Sequence, residues 1–264
     1  MVRLAHEQSG GYETLRIRKE QDILYVQMYR PEAKNAINDK LIAEMDELLE
    51  AAKQYAKVVV LQGLPEVFCF GADFNQIAQK MKANAFQAPN NPEPLYNIWL
   101  NLATGPYISI AQVKGKTNAG GVGFVAACDV VLCERGADFG LSELLFGLIP
   151  ACVLPFLIRR VGESKANYMT LMTQSITAEQ AVQWGLADAL DDNVDNLLRK
   201  HLLRLRRLDK SAIMKHKTYM NSLSGGLISD KAMALKTNQD IFSDVKNINK
   251  ISTYVDTGQF PWEQ

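Results

Sequence analysis

The sequence predicts an α/β fold with a helical C-terminal region, on three observations. The first half alternates short β-branched runs with stretches of helical spacing, as where "KVVVLQG" leads to "DFNQIAQKMK", and this favours strands joined by helical crossovers. Two of the strand-to-helix passages carry glycine, "FCFGAD" and "KTNAGGVGF". After Gly162 the β-branched runs stop, and segments of helical period follow one another to the end. A chain of 264 residues suits one large domain, or one domain with a helical extension, and is long enough to bury a core.

The elements follow in order. Residues 12–30 read as two strands joined at a polar turn around Glu20–Asp22. "RPEAKNAIND" reads as a loop, and Asn38 or Asp39 is placed to cap a helix over about 39–54, where Leu41, Ile42, Met45, Leu48, Leu49 and Ala52 fall at helical spacing. "KVVVLQG" is a buried strand, and "LPEVFCFGADFNQIAQKMK" a loop entering a helix. Residues 83–93, rich in Ala, Asn and Pro, are expected to form a mobile loop. A helix at about 94–103, the strand "YISIAQVKG", a helix over 119–127 and the strand "DVVLCE" complete the first half. Helices are expected over 163–173, 177–184, 194–207, 210–222 and 229–245, and no internal repeat is visible.

Composition excludes several classes of function. Lys plus Arg and Asp plus Glu both number 29, so no excess of positive charge points to nucleic acid or an anionic membrane. No uncharged apolar run approaches the ~18–20 residues of a membrane span. The first twenty residues lack the apolar core of a signal peptide, so a cytoplasmic location is expected. Cys69, Cys128, Cys133 and Cys152 form no CxxC pair and sit in apolar surroundings, which reads as buried reduced thiols rather than metal ligands.

The two glycine-bearing passages share one form: strand, loop, helix. Glycine lets a ligand approach the main chain, and the helix beyond such a loop begins with unpaired N–H groups. Two such loops side by side can aim two N–H groups at one oxygen. Close helix packing is the other reading of Gly120–Gly121. "GKTNAGGVG" fits neither GxGxxG nor GxxxxGK[ST], so nucleotide binding is not indicated.

"RPEAKNAIND", "VFCFGADFNQI" and "VKGKTNAGGVGFVAACDVVLCERGADFGLSELLFGLIPACVLPFLIRRVG" occur in that order, and together they resemble the crotonase (enoyl-CoA hydratase/isomerase) superfamily across residues 28–190. The resemblance implies a spiral of repeated ββα units over residues 1–190 and a helical trimerisation region over 191–264, in a homotrimer or hexamer. It implies that the N–H groups of Ala72 and Gly120 hold a thioester oxygen on which enolate charge develops. Of two glutamates used by hydratases of the family, one position is Gly123 here, and the other is retained as Glu143.

The departure at Gly123 turns the reading from a two-glutamate hydratase to a one-glutamate enzyme. Segments such as "YMTLMT", "KHLLRLRRL" and "DTGQFPWE" extend a finer resemblance, to the dehydratases of polyketide β-branching. Those act on a 3-hydroxy-3-methylglutaryl group carried on an acyl carrier protein. The alternative is a decarboxylase or isomerase of a related thioester. Glu143 is then the base, and no metal or cofactor is expected. Phe70, Gly71 and Gly121 flank the two donors and are placed with the substrate. The substrate's distal carboxylate needs a cationic or hydrogen-bonding partner, for which Lys116, Asn118, Asp73, Lys82 and Tyr96 are candidates. "RKHLLRLRR" is a candidate surface for an acidic carrier protein.

Overall fold

A computed structural model describes residues 11–82 and 91–263; for residues 81, 82 and 224 it describes the backbone alone. Most of the expected mobile loop, residues 83–90, and the side chain of Lys82 lie outside the described residues.

The chain begins with β1 (Leu15–Glu20) and β2 (Ile23–Met28), then α1 (Asp39–Tyr55), with Asn38 Oδ1 accepting from Leu41 N–H at 2.8 Å as its cap. Next come β3 (Val58–Gln62), β4 (Val67–Cys69), α2 (Phe74–Lys82) and α3 (Glu93–Thr104). They are followed by β5 (Ile108–Val113), β6 (Lys116–Asn118) and α4 (Gly120–Ala127). Then come β7 (Val130–Glu134), β8 (Asp138–Gly140), a 3-10 turn (Glu143–Phe146) and α5 (Leu154–Met172). The remainder is β9 (Ile176–Thr177), α6 (Ala178–Trp184), β10 (Ala189–Asp191), α7 (Val194–Leu205), α8 (Lys210–Ser224), α9 (Gly226–Ser229), α10 (Lys231–Phe242) and α11 (Val245–Thr257).

Strands are dealt alternately to two sheets. The large sheet runs β1-β2-β3-β5-β7-β10, and the small one β4-β6-β8-β9. Each passage β3-β4-α2, β5-β6-α4 and β7-β8-turn is therefore one ββα-type unit, and repeating it generates the spiral. Apart from the β1–β2 hairpin the large sheet is parallel, and it is covered on both faces. In β3, Val59 and Leu61 join the main core with α1, α3 and α4, while Val58 and Val60 face Val194, Leu197, Leu198 and Leu202 of α7. The expected division at residue 190 falls within β10, an edge strand of the large sheet, and α7 beyond it forms a layer on that sheet.

The second half differs from the sequence expectation in three places. Helix α5 starts at Leu154 rather than 163 and runs through Gly162, whose φ of +76° breaks the helical geometry. Two short strands, β9 and β10, appear beyond Gly162; as edge pieces of two and three residues they are too short to show a strand pattern. The single helix expected over 229–245 is α9 and α10, and a further helix follows. Asp244 starts α11 by accepting from Lys246 N–H at 2.9 Å.

Candidate active site

The three parallel strands of the small sheet place the candidate residues. β4 pairs with β6, and β6 with β8, all in parallel, in the registers Cys69↔Thr117 and Asn118↔Gly140. Parallel strands release their loops at one edge. Ala72 follows β4, Gly120 follows β6 and Glu143 follows β8, so all three leave the same edge. This is the C-terminal edge, where open α/β sheets usually bind ligands.

The orientation of the Ala72 N–H follows from its neighbours. Ile37 N–H donates to Gly71 O at 2.7 Å, and Asp73 N–H donates to Ile37 O at 3.0 Å. Ala72 lies between those two bonded groups, so its own N–H points to the opposite side. On that side lies the second loop. A Cβ built on Gly71 would fall 2.7 Å from Ala119 Cβ and 3.5 Å from Gly120 N. Gly71 also has φ +92°, so both its conformation and its contact require glycine.

Gly120 opens α4, so its N–H is one of the orphan donors of a helix start. Ala119 before it adopts φ +50°, ψ −123°, a conformation rare for a residue with a side chain. Its N–H is anchored on Gly140 O at 2.9 Å, so the turn is held by β8. A Cβ on Gly121 would crowd the Cys69 backbone, with Cys69 Cβ at 3.0 Å, so Gly121 permits α4 to lie on β4. Gly120 combines both readings of the pair: a Cβ there would fall 2.9 Å from Ile37 Cδ1, and its N–H has no acceptor within the helix it begins.

Glu143 begins the 3-10 turn. The residue is half-buried, yet its Oε2 is sealed from solvent and has no hydrogen-bond partner. Burial pushes its carboxyl up to about 7, against the opposing pull of the Ser142 and Glu143 N–H groups. Ser142 Oγ accepts from Asn118 Nδ2 at 2.8 Å, tying the end of β6 to the turn that carries the carboxyl.

Position 123 lies one helical turn beyond Gly120 and shares its face of α4. There the indole of Trp99, on α3, fills the space: a Cβ on Gly123 would fall 2.6–2.8 Å from three of its ring carbons. Trp99 is held edge-on by Phe124 and Phe156, with centroids 5.8 and 5.9 Å away. No side chain fits at 123 while that ring stays in place.

The other candidates divide. Phe70 is exposed at the rim, with Lys34 Nζ 5.3 Å from its ring centroid. The Asp73 carboxylate pairs with Arg30 at 3.0 Å and caps α2 through Gln76 N–H at 3.1 Å, which gives it a structural occupation. Lys116 is exposed at the start of β6, the opposite end of the strand from Gly120. Tyr96 is buried and spends its hydroxyl on Leu227 O at 2.7 Å. The Cys69 thiol is sealed and pushed up to about 12 by burial, which removes it as a thiolate nucleophile near neutral pH. "RKHLLRLRR" lies away from the site. Arg206 and Arg207 line a groove of about 480 Å³ with Asp22 and Lys57, the residues that precede β2 and β3. That is the N-terminal end of strands whose other ends lead to the donor loops.

Sequence reasoning missed Trp99, Ala119 and Ser142. Trp99 reads as an ordinary apolar position of α3. Nothing in the string "TNAGG" marks alanine as the residue with positive φ. "RPEAKNA" carried a signal that the structure explains: buried Asn35 accepts from Arg30 N–H at 2.7 Å and donates to Met28 O and Phe68 O, both at 3.0 Å, which fixes this loop beneath β4.

A profile of the enoyl-CoA hydratase/isomerase family matches residues 18–264. The bacillaene synthase dehydratase PksH of Bacillus subtilis (strain 168) is 55% identical over 253 residues, 96% of this chain and 97% of that protein. A crystal structure described as a polyketide biosynthesis enoyl-CoA hydratase (pksH) from Bacillus subtilis superposes with a TM-score of 0.92, covering 95% of this chain and all of that one. The 2,3-dehydroadipyl-CoA hydratase of Escherichia coli (strain K12) is 37% identical over 173 residues, 64% of this chain and 66% of that protein. With its family profile spanning both sheets and the tail, and its two glycine-bearing loops and Glu143 gathered at one sheet edge, the chain belongs to the enoyl-CoA hydratase/isomerase family.

Proposed function

We propose that this protein is a hydro-lyase of polyketide β-branching, which removes water from a 3-hydroxy-3-methylglutaryl thioester on an acyl carrier protein to give the 3-methylglutaconyl thioester. The observation that carries this reading is the sealed, partnerless Oε2 of Glu143 on the same sheet edge as the two glycine-bearing loops. The relative named bacillaene synthase dehydratase supports the reaction class and the polyketide setting.

The thioester oxygen accepts from Ala72 N–H and Gly120 N–H. Glu143 takes a proton from C2, and the enolate charge is held on the oxygen between those fixed donors. The C3–O bond then breaks. The proton now on Glu143 goes to the departing hydroxyl, so water leaves and the carboxylate is restored. One carboxyl is base and then acid on a single face, and a pKa near neutrality suits both duties. Phe70, Gly71 and Gly121 shape the approach to the donors. Exposed Tyr219, Leu223, Ile228 and Met233 on the tail helices suit the self-association that the family resemblance implies.

The test is mass spectrometry of carrier protein loaded with the 3-hydroxy-3-methylglutaryl group. Loss of water alone is the expected result, and Glu143→Gln removes it while the protein stays folded. Loss of carbon dioxide after water identifies the decarboxylase instead. Near wild-type turnover by Glu143→Gln sinks the assignment of the base.

A further inference from the structure

The geometry points to Lys250, on the C-terminal helix α11, as the residue that binds the distal carboxylate of the acyl group. This inference rests on the reading above, because only a substrate with a second carboxylate would use it.

Helix α11 packs against both walls of the cleft. One wall is α2, which begins two residues after Ala72, and the other is the 3-10 turn that carries Glu143. Aromatic rings hold the three together: Phe74 of α2 stands edge-on to Phe146 of the turn at 5.1 Å, and Phe146 to Tyr254 of α11 at 5.3 Å. Ile248 and Ile251 of α11 are buried in the same cluster. The residues between them on the helix therefore have fixed positions.

Lys250 reaches from α11 to Gly147, the residue that closes the turn. A Cβ on Gly147 would lie 2.9 Å from Lys250 Nζ and would also strike Asn247 Oδ1. Gly147, with φ +76°, returns its N–H to the carbonyls of Glu143 and Leu144. The ammonium group thus lies beside the residue that ends the turn begun by Glu143, four positions further along the chain. In a 3-hydroxy-3-methylglutaryl thioester the far carboxylate is three carbons beyond the C2 that Glu143 must reach.

The charge state of the surroundings singles out this lysine. Lys250 is half-buried and, among the described residues, has no ion pair and no hydrogen bond. Every other buried or half-buried lysine with a described side chain is occupied. Lys53, Lys57, Lys80, Lys114, Lys217 and Lys231 pair with carboxylates, and Lys210 donates to Lys53 O. A partly desolvated cation with no anion of its own is costly unless a ligand supplies one. A carboxylate on the acyl chain is such an anion, and a charge-assisted bond to it would give selectivity over uncharged acyl groups.

The experiment compares two carrier-protein thioesters, 3-hydroxy-3-methylglutaryl and its uncharged counterpart 3-hydroxy-3-methylbutyryl, in the wild type, Lys250→Met and Lys250→Arg. Binding is measured for all, and kcat/KM where turnover occurs. Lys250→Met should weaken the diacid at least tenfold and leave the uncharged acyl group within twofold, and Lys250→Arg should restore much of the difference. Equal weakening of both ligands means that Lys250 only supports the turn, and an unchanged ratio means that it does not meet the carboxylate; either result overturns the inference. Failure of the wild type to release water from either thioester overturns the proposed reaction instead, and the binding ratio still decides the role of Lys250.

Discussion

A carboxyl group held with a sealed, partnerless oxygen keeps its proton to higher pH than one in water, and for Glu143 this has two consequences. As a base it must be ionised, so kcat/KM for dehydration should fall about tenfold per pH unit below about 7. Stability moves with the opposite sign. The folded state binds this proton more tightly than the unfolded chain, so folding free energy is lost as pH rises from the ordinary 4.5 to about 7. The loss is at most about 3 kcal/mol. Glu143→Gln escapes it, so its melting temperature should exceed that of the wild type at pH 8 and match it near pH 4.5. Equal melting temperatures at pH 8 would show that the carboxylate is not destabilised by burial. At Gly123 a second prediction belongs to the same scale. Gly123→Glu gains helix propensity of roughly 0.5–1 kcal/mol, but it must displace the Trp99 ring, and overpacking costs about 1–3 kcal/mol. Net destabilisation in urea is expected, and a variant as stable as the wild type would show that the ring moves freely.

Among elements, the small sheet decides the site, and it was the least legible part of the sequence. The two glycine loops, the cap at Asn38 and the buried strands β3, β5 and β7 could all be read, because glycine pairs, capping residues and β-branched runs are local signals. β6 and β8 are three residues each, "KTN" and "DFG", and carry no such pattern. Their strand character comes from pairing with β4 and with each other. The bond from Asn118 Nδ2 to Ser142 Oγ is the link between the donor loop and the Glu143 turn. Asn118→Ala should lower kcat about tenfold or more with little change in KM, since it loosens the carboxyl's position without removing a substrate contact. A rise in KM with unchanged kcat would show that Asn118 meets the substrate directly.

Across the whole molecule, one of the ties between the helical tail and the α/β core is the ion pair of buried Lys217 with half-buried Asp129. Lys217 of α8 donates to Asp129 Oδ2 at 2.5 Å, to Leu102 O at 3.0 Å and to Tyr107 O at 2.9 Å. Asp129 Oδ2 in turn accepts from Ser109 N–H and Oγ–H. Lys217→Met leaves the Asp129 carboxylate without its counter-ion and Tyr107 O without the lysine donor, so a loss of about 3–5 kcal/mol is expected in denaturant unfolding. A loss below 1 kcal/mol would place the tail's anchorage elsewhere. The same helices hide the other late surprise. α11, which brings Lys250 to the turn, starts only because Asp244 caps it, and the helical period across 229–245 hides that break.

By itself the sequence determined the α/β class and the family resemblance, and it singled out the two glycine-bearing loops and the single remaining glutamate, because each is written in local pattern: period, glycine spacing, or one residue type at one position. Only the tertiary structure decided that β4, β6 and β8 end at one edge, that Trp99 takes the space above Gly123, and that a lysine more than a hundred residues from Glu143 sits beside its turn. These are contacts between segments distant in the chain. Pairing of short strands, the sealing of a carboxyl oxygen and the absence of a counter-ion are properties of what surrounds a residue, and no stretch of the string contains its own surroundings.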